Sequence, residues 1–565
     1  MTLRFRTRTL LVRTGGLWLG LIYLLVLFKS ARTLGFARDE SFYFDAANRY
    51  SGWFRLLASK PSVALTQASI DAAWTTNHEH PSLVKMAFAL SHYVFFEKLS
   101  LFSDASTAWR FPGMLSGAAA VAYVYYAGKR RAGPVAGAIA AVLLAAMPRF
   151  FYNAHLACFD IPVVAIWALC LGAYTRAVRR KTWSSAALFG VTVGLALDTK
   201  HNAWMLPAVV VPHLLVVGHA RFWRSSEDHT ATWRERLRTL GFLKPLVCGV
   251  TLGPAVFLAL WPWLWHDTVA RWNEYTAFHL HHVYYNMEFL HRNYAGPPSP
   301  IAYLPVMVVA TVPTITLALC GYGIACMVKP LVGTVRSVFG TSHRLGAAGE
   351  RLGVDVLAML VPLGPFFLPS TPIFGGTKHW MPAYPFMALF AARGIFYVGR
   401  GLAVWLRERF ARLTLPSWAT WLLLALGFTV GPIAETWHSH PFGLSSYVAL
   451  VGGTAGGASL GLNRQFWGFT TQSLGPWLAA NCKPGDRIYI HDTTGGAWAQ
   501  MVAEHRLPPG LQPVGTISDA TVAIVHHELH MAEAEAGMLT VFGGSPAYVL
   551  THDGVPVVSV YRRAR

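Results

Sequence analysis

The chain has 565 residues, of which 54% are hydrophobic and only 13% are charged. Its apolar runs are too long and too frequent for a soluble protein of this size, so a polytopic membrane protein is expected. The formal net charge of +20 does not indicate a nucleic-acid partner, because the basic residues lie mostly in short clusters between apolar runs, which is typical of membrane topology.

The first apolar run, residues 10–28, is long enough to cross about 30 Å of hydrocarbon at about 1.5 Å per residue. It follows Arg4, Arg6 and Arg8 and contains Arg13 near its start, so the N-terminus is predicted to be cytoplasmic. No pattern of small residues for signal-peptide cleavage follows, which favours a retained anchor. The next polar residues, Asp39-Glu40, are therefore predicted to lie on the opposite face.

Ten further apolar runs give eleven predicted spans, in a fold class of about 11–13 transmembrane helices. They are centred near 111–127, 134–149, 161–175, 184–198, 203–218, 244–264, 303–328, 354–370, 380–397 and 417–434. Basic connectors, including 219–243, 329–353 and 398–416, are predicted to lie inside, and the connectors 150–160, 199–202, 265–302 and 371–379 outside.

Residues 29–109 are interpreted as one large outside segment, with helices near 41–57 and 63–74. The apolar stretch 83–99 contains Lys85, His92, Glu97 and Lys98, so a re-entrant or interfacial helix is predicted there. The alternative is that 83–99 spans the bilayer, which would invert every later connector.

The composition changes after residue 439, where Gly-rich segments and short strand-like runs begin. Strands are predicted at 487–491 and 521–525, with a hairpin over 547–561 that turns at Asp553-Gly554. This pattern divides the chain into a membrane domain, 1–439, and a small outside α/β domain, 440–565. The eleven predicted spans place this domain on the same face as Asp39.

Acids, imidazoles and cations from distant connectors are predicted to converge on the outer face. Anchorage alone does not require such a concentration, so a reactive or binding site is expected there. The residues are Asp39, Glu40, Tyr43, Glu79, His80, Lys85, Asn153, His155, Asp160, His279, His281, His282, Lys378 and His379.

Four strings, in order, carry a resemblance to a known family. They are Ala37-Arg38-Asp39-Glu40-Ser41-Phe42-Tyr43, Glu79-His80-Pro81-Ser82-Leu83-Val84-Lys85, Arg110-Phe111-Pro112 and Asp160-Ile161-Pro162. The chain resembles the protein O-mannosyltransferases (glycosyltransferase family 39) and the bacterial aminoarabinose lipid A transferases, both of the GT-C superfamily. The resemblance covers roughly residues 10–400. It departs at Pro81-Ser82, where the family usually has two prolines.

The resemblance implies transfer of a sugar, with inversion, from a polyprenyl phosphate to a protein Ser/Thr, lipid or glycan acceptor. It makes Asp39 the candidate base, with Glu40 and Asp160 as further catalytic carboxylates. A leaving phosphate needs cationic donors, for which the candidates are Lys85, Lys378 and His379. Candidates for acceptor or sugar binding are Tyr43, Glu79, His80 and His282.

Several alternatives remain open at the level of sequence. Lys85 could extend from a surface helix to the lipid headgroups, and Asp160 could cap the helix that starts at Ile161. Glu79, His281 and His282 could bind a divalent metal, although one His-x-His-His string is weak evidence for three enforced ligands; no other cofactor is indicated. A transporter or lipid flippase is the alternative function, but the spans are nearly free of charge. A bacterial inner membrane is the expected location.

Overall fold

The computed structural model describes residues 2–226, 240–340, 344–409 and 417–563. Residues 227–239, 341–343 and 410–416 lie outside the described residues. They are parts of three basic connectors predicted to lie on the cytoplasmic face. Arg234, Arg236, Arg238 and Arg412 are among them.

The N-terminal half is helical throughout. Its first long helix precedes a group of helices in the 29–109 segment, as the sequence predicts. The helices are α1 (Thr2–Ser30), α2 (Arg38–Ser59), α3 (Pro61–Ala64), α4 (Gln67–Trp74), α5 (Leu83–Ser91), α6 (Ala105–Ala132), α7 (Pro134–Ala145), α8 (Pro148–Ala154), α9 (Asp160–Arg180), α10 (Trp183–Leu197), α11 (Leu206–Ser226), α12 (Lys244–Leu260) and α13 (Thr268–Leu280).

A short antiparallel hairpin interrupts the helices in the 265–302 connector. It consists of β1 (Met287–Phe289) and β2 (Arg292–Tyr294), and neither strand is predicted from the sequence. The helices that follow are α14 (Tyr303–Thr311), α15 (Thr314–Phe339), α16 (Ala347–Leu360), α17 (Tyr384–Arg409) and α18 (Ser417–Ser439).

Among the described residues, seven helices are long and apolar enough to cross a membrane, or up to eight if the bent pair α7 and α8 forms one span. All eleven predicted spans overlap helices, although 354–370 is α-helical only as far as Leu360. Four of them are not among the seven: α6 is rich in Gly, Ala and Tyr, α7 and α8 are bent by 70°, and α10 and α16 are short. The molecule is a polytopic α-helical membrane protein.

The 83–99 stretch is not among these candidate spans. It begins as α5 and continues from His92 to Lys98 as a π-helical turn. A widened turn of this kind often occurs at functional or strained positions in helices. The structure thus agrees with the prediction that the 83–99 helix is not a membrane span.

The C-terminal segment, residues 440–563, contains a small mixed sheet. Its elements are α19 (Gly453–Ser459), α20 (Gly475–Asn481), β3 (Arg487–Ile490), α21 (Gly495–Ala503), β4 (Gln512–Val514), β5 (Val522–His526), α22 (Ala532–Phe542), β6 (Tyr548–His552) and β7 (Val555–Arg562). The strand order is β4-β3-β5-β7-β6. Strand β3 is parallel to β4 and β5, whereas β7 is antiparallel to β5 and β6. Both predicted strands and the hairpin at Asp553-Gly554 are confirmed.

The C-terminal segment shares one hydrophobic core with the 29–109 segment. Phe36 and Phe44 of the 29–109 segment belong to the same buried cluster as Phe469, Ile488 and Trp498. Gly35 packs so closely on the Phe469 carbonyl that a side chain at this position would clash with it. The C-terminal segment therefore lies directly on the helices that carry the predicted site.

Candidate active site

Asp39 and Lys378 lie near opposite ends of the membrane region in sequence, but their side chains come together in the structure. Asp39 lies in the first turn of α2, where the positive end of the helix dipole favours a carboxylate. Its Oδ2 is 3.9 Å from Lys378 Nζ, and its side chain is 28% exposed whereas that of Lys378 is 8% exposed. An accessible acid thus faces a buried cation.

A second acid and a second lysine form a closer pair. Asp160 is in the first turn of α9, a predicted span, and Lys200 lies in the short connector between α10 and α11. Lys200 Nζ donates a 2.7 Å hydrogen bond to Asp160 Oδ1, and both side chains are buried. The N-cap position belongs to Phe159 and its side chain makes no cap, so Asp160 serves as the partner of a cation rather than as a helix cap.

The two pairs act electrostatically as one cluster. Burial raises the pKa of Asp39; Lys378 opposes this shift, the charge of Asp160 adds to it, and Arg38 and Lys200 oppose it more weakly. Burial lowers the pKa of Lys378, while Asp39 and Asp160 favour its charged form. Two carboxylates and two ammonium groups from four connectors therefore influence one another.

Lys378 is held by its own loop and by the C-terminal segment. Gly375 has a left-handed φ of +70°, and a Cβ there would clash with the Lys378 side chain, coming within 2.8 Å of Nζ. On another side, Nζ lies 3.9 Å from the centroid of the Trp467 ring. Because a cation over an indole face is stabilised by the ring quadrupole, Trp467 helps to keep this ammonium in place.

Glu40, although adjacent to Asp39, is engaged elsewhere. Its side chain is fully buried and accepts hydrogen bonds from Arg110 Nε at 2.8 Å and Arg110 Nη2 at 2.7 Å. The N–H groups of Ala37 and Ala157 donate to it as well, each at 2.9 Å. Glu40 therefore ties the start of α2 to α6 and to the segment before α9, which positions Asp39 relative to Asp160.

Lys85 is buried and does not extend to lipid headgroups, so that alternative is wrong. Its Nζ donates to the carbonyls of Asn77 at 2.5 Å and His80 at 2.9 Å. Burial lowers the pKa of Lys85 to about 7, although Glu79 and Asp198 favour the charged form. These contacts make Lys85 the anchor of the 77–80 turn. Its role as a phosphate ligand stays a prediction.

His379 follows Lys378 in sequence, and its ring packs back onto the turn that contains both residues. Its Nε2 contacts the backbone of Phe374. Burial, and next the charge of Lys378, lower the pKa of His379 to about 3. The ring is therefore neutral at physiological pH and can donate a hydrogen bond but supplies no charge.

Two of the residues predicted to bind the acceptor or the sugar, Tyr43 and His80, form an aromatic wall beside Asp39. The Tyr43 ring is 4.4 Å from that of Phe159, which precedes Asp160, and the His80 ring is 5.1 Å from Phe159. Burial lowers the pKa of His80 well below its usual value. Glu79 Oε1 accepts a 2.6 Å hydrogen bond from Asn77, so Glu79 stabilises the turn that Lys85 anchors.

Glu79, His281 and His282 are not among the groups that could hold a metal ion. In the described parts of the chain, two other clusters bring three ligand atoms within 4.8 Å of one another. His281 is exposed and His282 is half-buried, and the His282 ring stacks on Phe374 at 4.7 Å. The ring of His282 thus packs on the wall of the Lys378 loop.

Comparisons with known proteins bear on the same region. Residues 79–233 match the family model described as dolichyl-phosphate-mannose-protein mannosyltransferase. Over this segment, the chain resembles the protein mannosyltransferases. The matched segment contains the 79–85 turn, Asp160 and Lys200, whereas Asp39 and Lys378 lie outside it. A search of curated proteins finds no significant match.

Two solved structures are similar to this chain at low sequence identity. The crystal structure of ArnT from Cupriavidus metallidurans bound to undecaprenyl phosphate is 14% identical, with a TM-score of 0.45, and the match covers 97% of this chain and 98% of that chain. The archaeal oligosaccharyltransferase AglB from Archaeoglobus fulgidus, in complex with an inhibitory peptide and a dolichol-phosphate, is 13% identical, with a TM-score of 0.44, over 88% of this chain and 60% of that chain.

Two residues of the site were missed from the sequence. Lys200 is a single lysine in the 199–202 connector, which is predicted to lie outside and is otherwise poor in basic residues. This isolation is the signal that could have identified it. Trp467 lies in the C-terminal segment, far from any predicted site residue, and nothing in its local sequence indicates the contact with Lys378.

Proposed function

We propose that this chain transfers a sugar from a polyprenyl phosphate to a hydroxyl group of an acceptor at the extracytoplasmic face of the membrane, with inversion at the anomeric carbon. The observation that supports this proposal is the cluster of Asp39, Asp160, Lys200 and Lys378, which four separate connectors bring together. The acceptor is a protein Ser/Thr, a lipid or a glycan. A bacterial inner membrane is the proposed location, with the N-terminus cytoplasmic and the cluster outside.

Asp39 is the proposed base. It is the more exposed of the two acids, and its raised pKa makes it a stronger proton acceptor than an ordinary aspartate. In the proposed step, the acceptor oxygen forms a bond to the anomeric carbon as its proton passes to the Asp39 carboxylate. The bond between the anomeric carbon and the phosphate oxygen breaks, and its electron pair leaves with the phosphate.

Lys378 is proposed to receive the leaving phosphate, with Lys200 as a second nearby cation in the same cluster. Negative charge accumulates on the phosphate as the bond breaks, and a prepositioned ammonium in a dry site stabilises this charge more than water does. Burial lowers the pKa of Lys378. The negative charge of an arriving phosphate would raise this pKa again and favour the charged ammonium. Asp160 is proposed to hold Lys200 in place and to keep the cluster close to neutral before the donor binds.

The C-terminal segment, residues 440–565 in the proposed division, is proposed to close the site and to guide the acceptor. Three of its contacts support this: Trp467 faces Lys378, the Trp467 carbonyl accepts a 2.9 Å hydrogen bond from the Arg38 N–H, and Thr494 lies 2.9 Å from the hydroxyl of Ser41. These contacts surround Asp39 on α2.

The test is transfer of radiolabelled sugar from defined polyprenyl-phosphate donors to membrane acceptors by the purified protein. Asp39→Asn is expected to lose at least about 100-fold in rate. Asp45→Asn is the matched control, because Asp45 lies on the same helix in an exposed pair with Arg49, and it should retain full activity. If no donor supports transfer by the wild type, the proposal fails and lipid transport becomes the function to test.

A further inference from the structure

A cluster of two glutamates and a histidine lies where the C-terminal segment meets the β1–β2 hairpin. Glu288 is on β1, whereas Glu528 and His530 follow β5. His530 Nδ1 is 3.3 Å from Glu288 Oε1 and 3.5 Å from Glu528 Oε2. The three ligand atoms all lie within 4.8 Å of one another.

These separations fit the coordination shell of a small divalent cation. With bonds of about 2.0–2.1 Å, the ligands of a tetrahedral Zn²⁺ site are about 3.3–3.4 Å apart. The two measured separations are close to this value. An imidazole nitrogen together with carboxylate oxygens suits Zn²⁺ and related transition metals, whereas Mg²⁺ favours oxygen ligands alone.

The charges of the cluster provide an independent argument. Glu288 and Glu528 are 3% and 5% exposed, and among the described residues each forms an ion pair only with His530. Two adjacent buried carboxylates are costly without a compensating cation, and a divalent ion would supply that compensation.

The surroundings resemble those of a metal site. Gln465 Nε2 donates to Glu528 Oε1 at 2.6 Å and to Asp492 Oδ2 at 3.2 Å, and Asp492 forms an ion pair with Arg38. Such outer hydrogen bonds orient metal ligands. Glu288 and Glu528 also border a cavity of about 180 Å³, which Arg464 and His291 border as well, so an ion and a water ligand can enter.

We propose that Glu288, Glu528 and His530 bind a divalent transition-metal ion of the Zn²⁺ class, with a further coordination position open to the cavity. The ion would fasten the C-terminal segment to the hairpin in the 265–302 connector. Through Gln465 and Asp492, it would also stabilise Arg38 at the start of the helix that carries Asp39. This site is distinct from the cluster of Asp39 and Lys378 and does not depend on the proposed transfer reaction.

The test is metal stoichiometry in the full-length protein in detergent. After treatment with a chelator, Zn²⁺ is added back, excess ion is removed and bound zinc is counted by elemental mass spectrometry. Wild type is expected to retain one more Zn²⁺ per chain than Glu528→Gln or His530→Ala. These two variants should bind that ion about 100-fold more weakly or lose it. Zn²⁺ should raise the thermal unfolding midpoint of wild type and not that of the variants.

Two control variants separate this site from other histidines. His291→Ala alters the same cavity without removing a proposed ligand, and His552→Ala removes a member of the second three-ligand cluster, His438, His552 and Asp553. Both should keep the ion. Glu528→Gln preserves side-chain volume, and its fold is checked by a monodisperse elution profile. If wild type retains no stoichiometric Zn²⁺, or if Glu528→Gln and His530→Ala retain as much as wild type, the proposal is overturned.

Discussion

The ammonium group of Lys378 lies 3.9 Å from the centre of the Trp467 ring. This contact joins the 371–379 connector to the C-terminal segment, and the same ammonium is 3.9 Å from the Asp39 carboxylate. The lysine proposed to receive the phosphate is therefore placed jointly by the membrane region and by the C-terminal segment.

Trp467→Ala is expected to lower the rate of sugar transfer by about tenfold, because a desolvated contact between a cation and an indole contributes roughly 1–2 kcal/mol. Trp467→Phe keeps an aromatic face and should lose less. The measurement is kcat/KM for transfer from the donor that supports wild-type activity. Equal rates for wild type and Trp467→Ala would show that the ring does not position Lys378.

Gly375→Ala is expected to disable the site by displacing Lys378. The new Cβ would collide with the lysine side chain, and the left-handed backbone adds about 1–2 kcal/mol of strain. Gly376→Ala is the matched control: its φ of +58° brings similar strain, but its Cβ would only reach ordinary contact with Tyr303 at 3.5 Å.

Both glycine variants should therefore lose similar thermal stability, while only Gly375→Ala loses most of its transfer activity. Unfolding midpoints and transfer rates are measured on the same preparations. A parallel loss of activity in both variants would point to the backbone of the loop and not to Lys378.

The pH dependence of transfer should report the ionisation of Asp39. As the proposed base, Asp39 must be deprotonated, so kcat/KM falls as the pH drops through its pKa in the free enzyme. Burial raises that pKa, so the acidic midpoint should lie above the ordinary value of 3.8. Arg38 lowers the pKa of Asp39, so Arg38→Gln should move the midpoint further upward. A midpoint at or below 3.8, or a downward shift in Arg38→Gln, contradicts this assignment.

Hydrophobic pattern and charge predicted the architecture well, because helices and hairpins follow from local periodicity. The 487–491 and 521–525 strands are examples, as is the turn at Asp553-Gly554. The number of spans does not follow from local periodicity in the same way. A run such as 111–127 has the length of a span, but its Gly, Ala and Tyr residues pack against neighbouring helices.

The site was predicted in part, since acids and lysines on one face are visible in the sequence but their partners are not. Asp39 and Lys378 do come together. Glu40 is adjacent to Asp39 in sequence, yet its carboxylate pairs with Arg110 because the first turn of a helix directs successive side chains to different sides. The pairing of Asp160 with Lys200 depends on how α9 and α10 pack, which no local pattern specifies.

The pair of Asp160 and Lys200 should be energetically coupled. Lys200→Met leaves a buried carboxylate without its partner, which costs about 3–5 kcal/mol of stability. Adding Asp160→Asn removes that charge, so the double variant should be more stable than Lys200→Met alone while transfer stays low. Unfolding midpoints of the four proteins in the double-mutant cycle measure the coupling. As a control, combining Lys200→Met with the exposed Asp45→Asn should give additive changes in stability. If Lys200→Met and Asp160→Asn are also additive, the 2.7 Å contact between Lys200 and Asp160 makes no net contribution to stability.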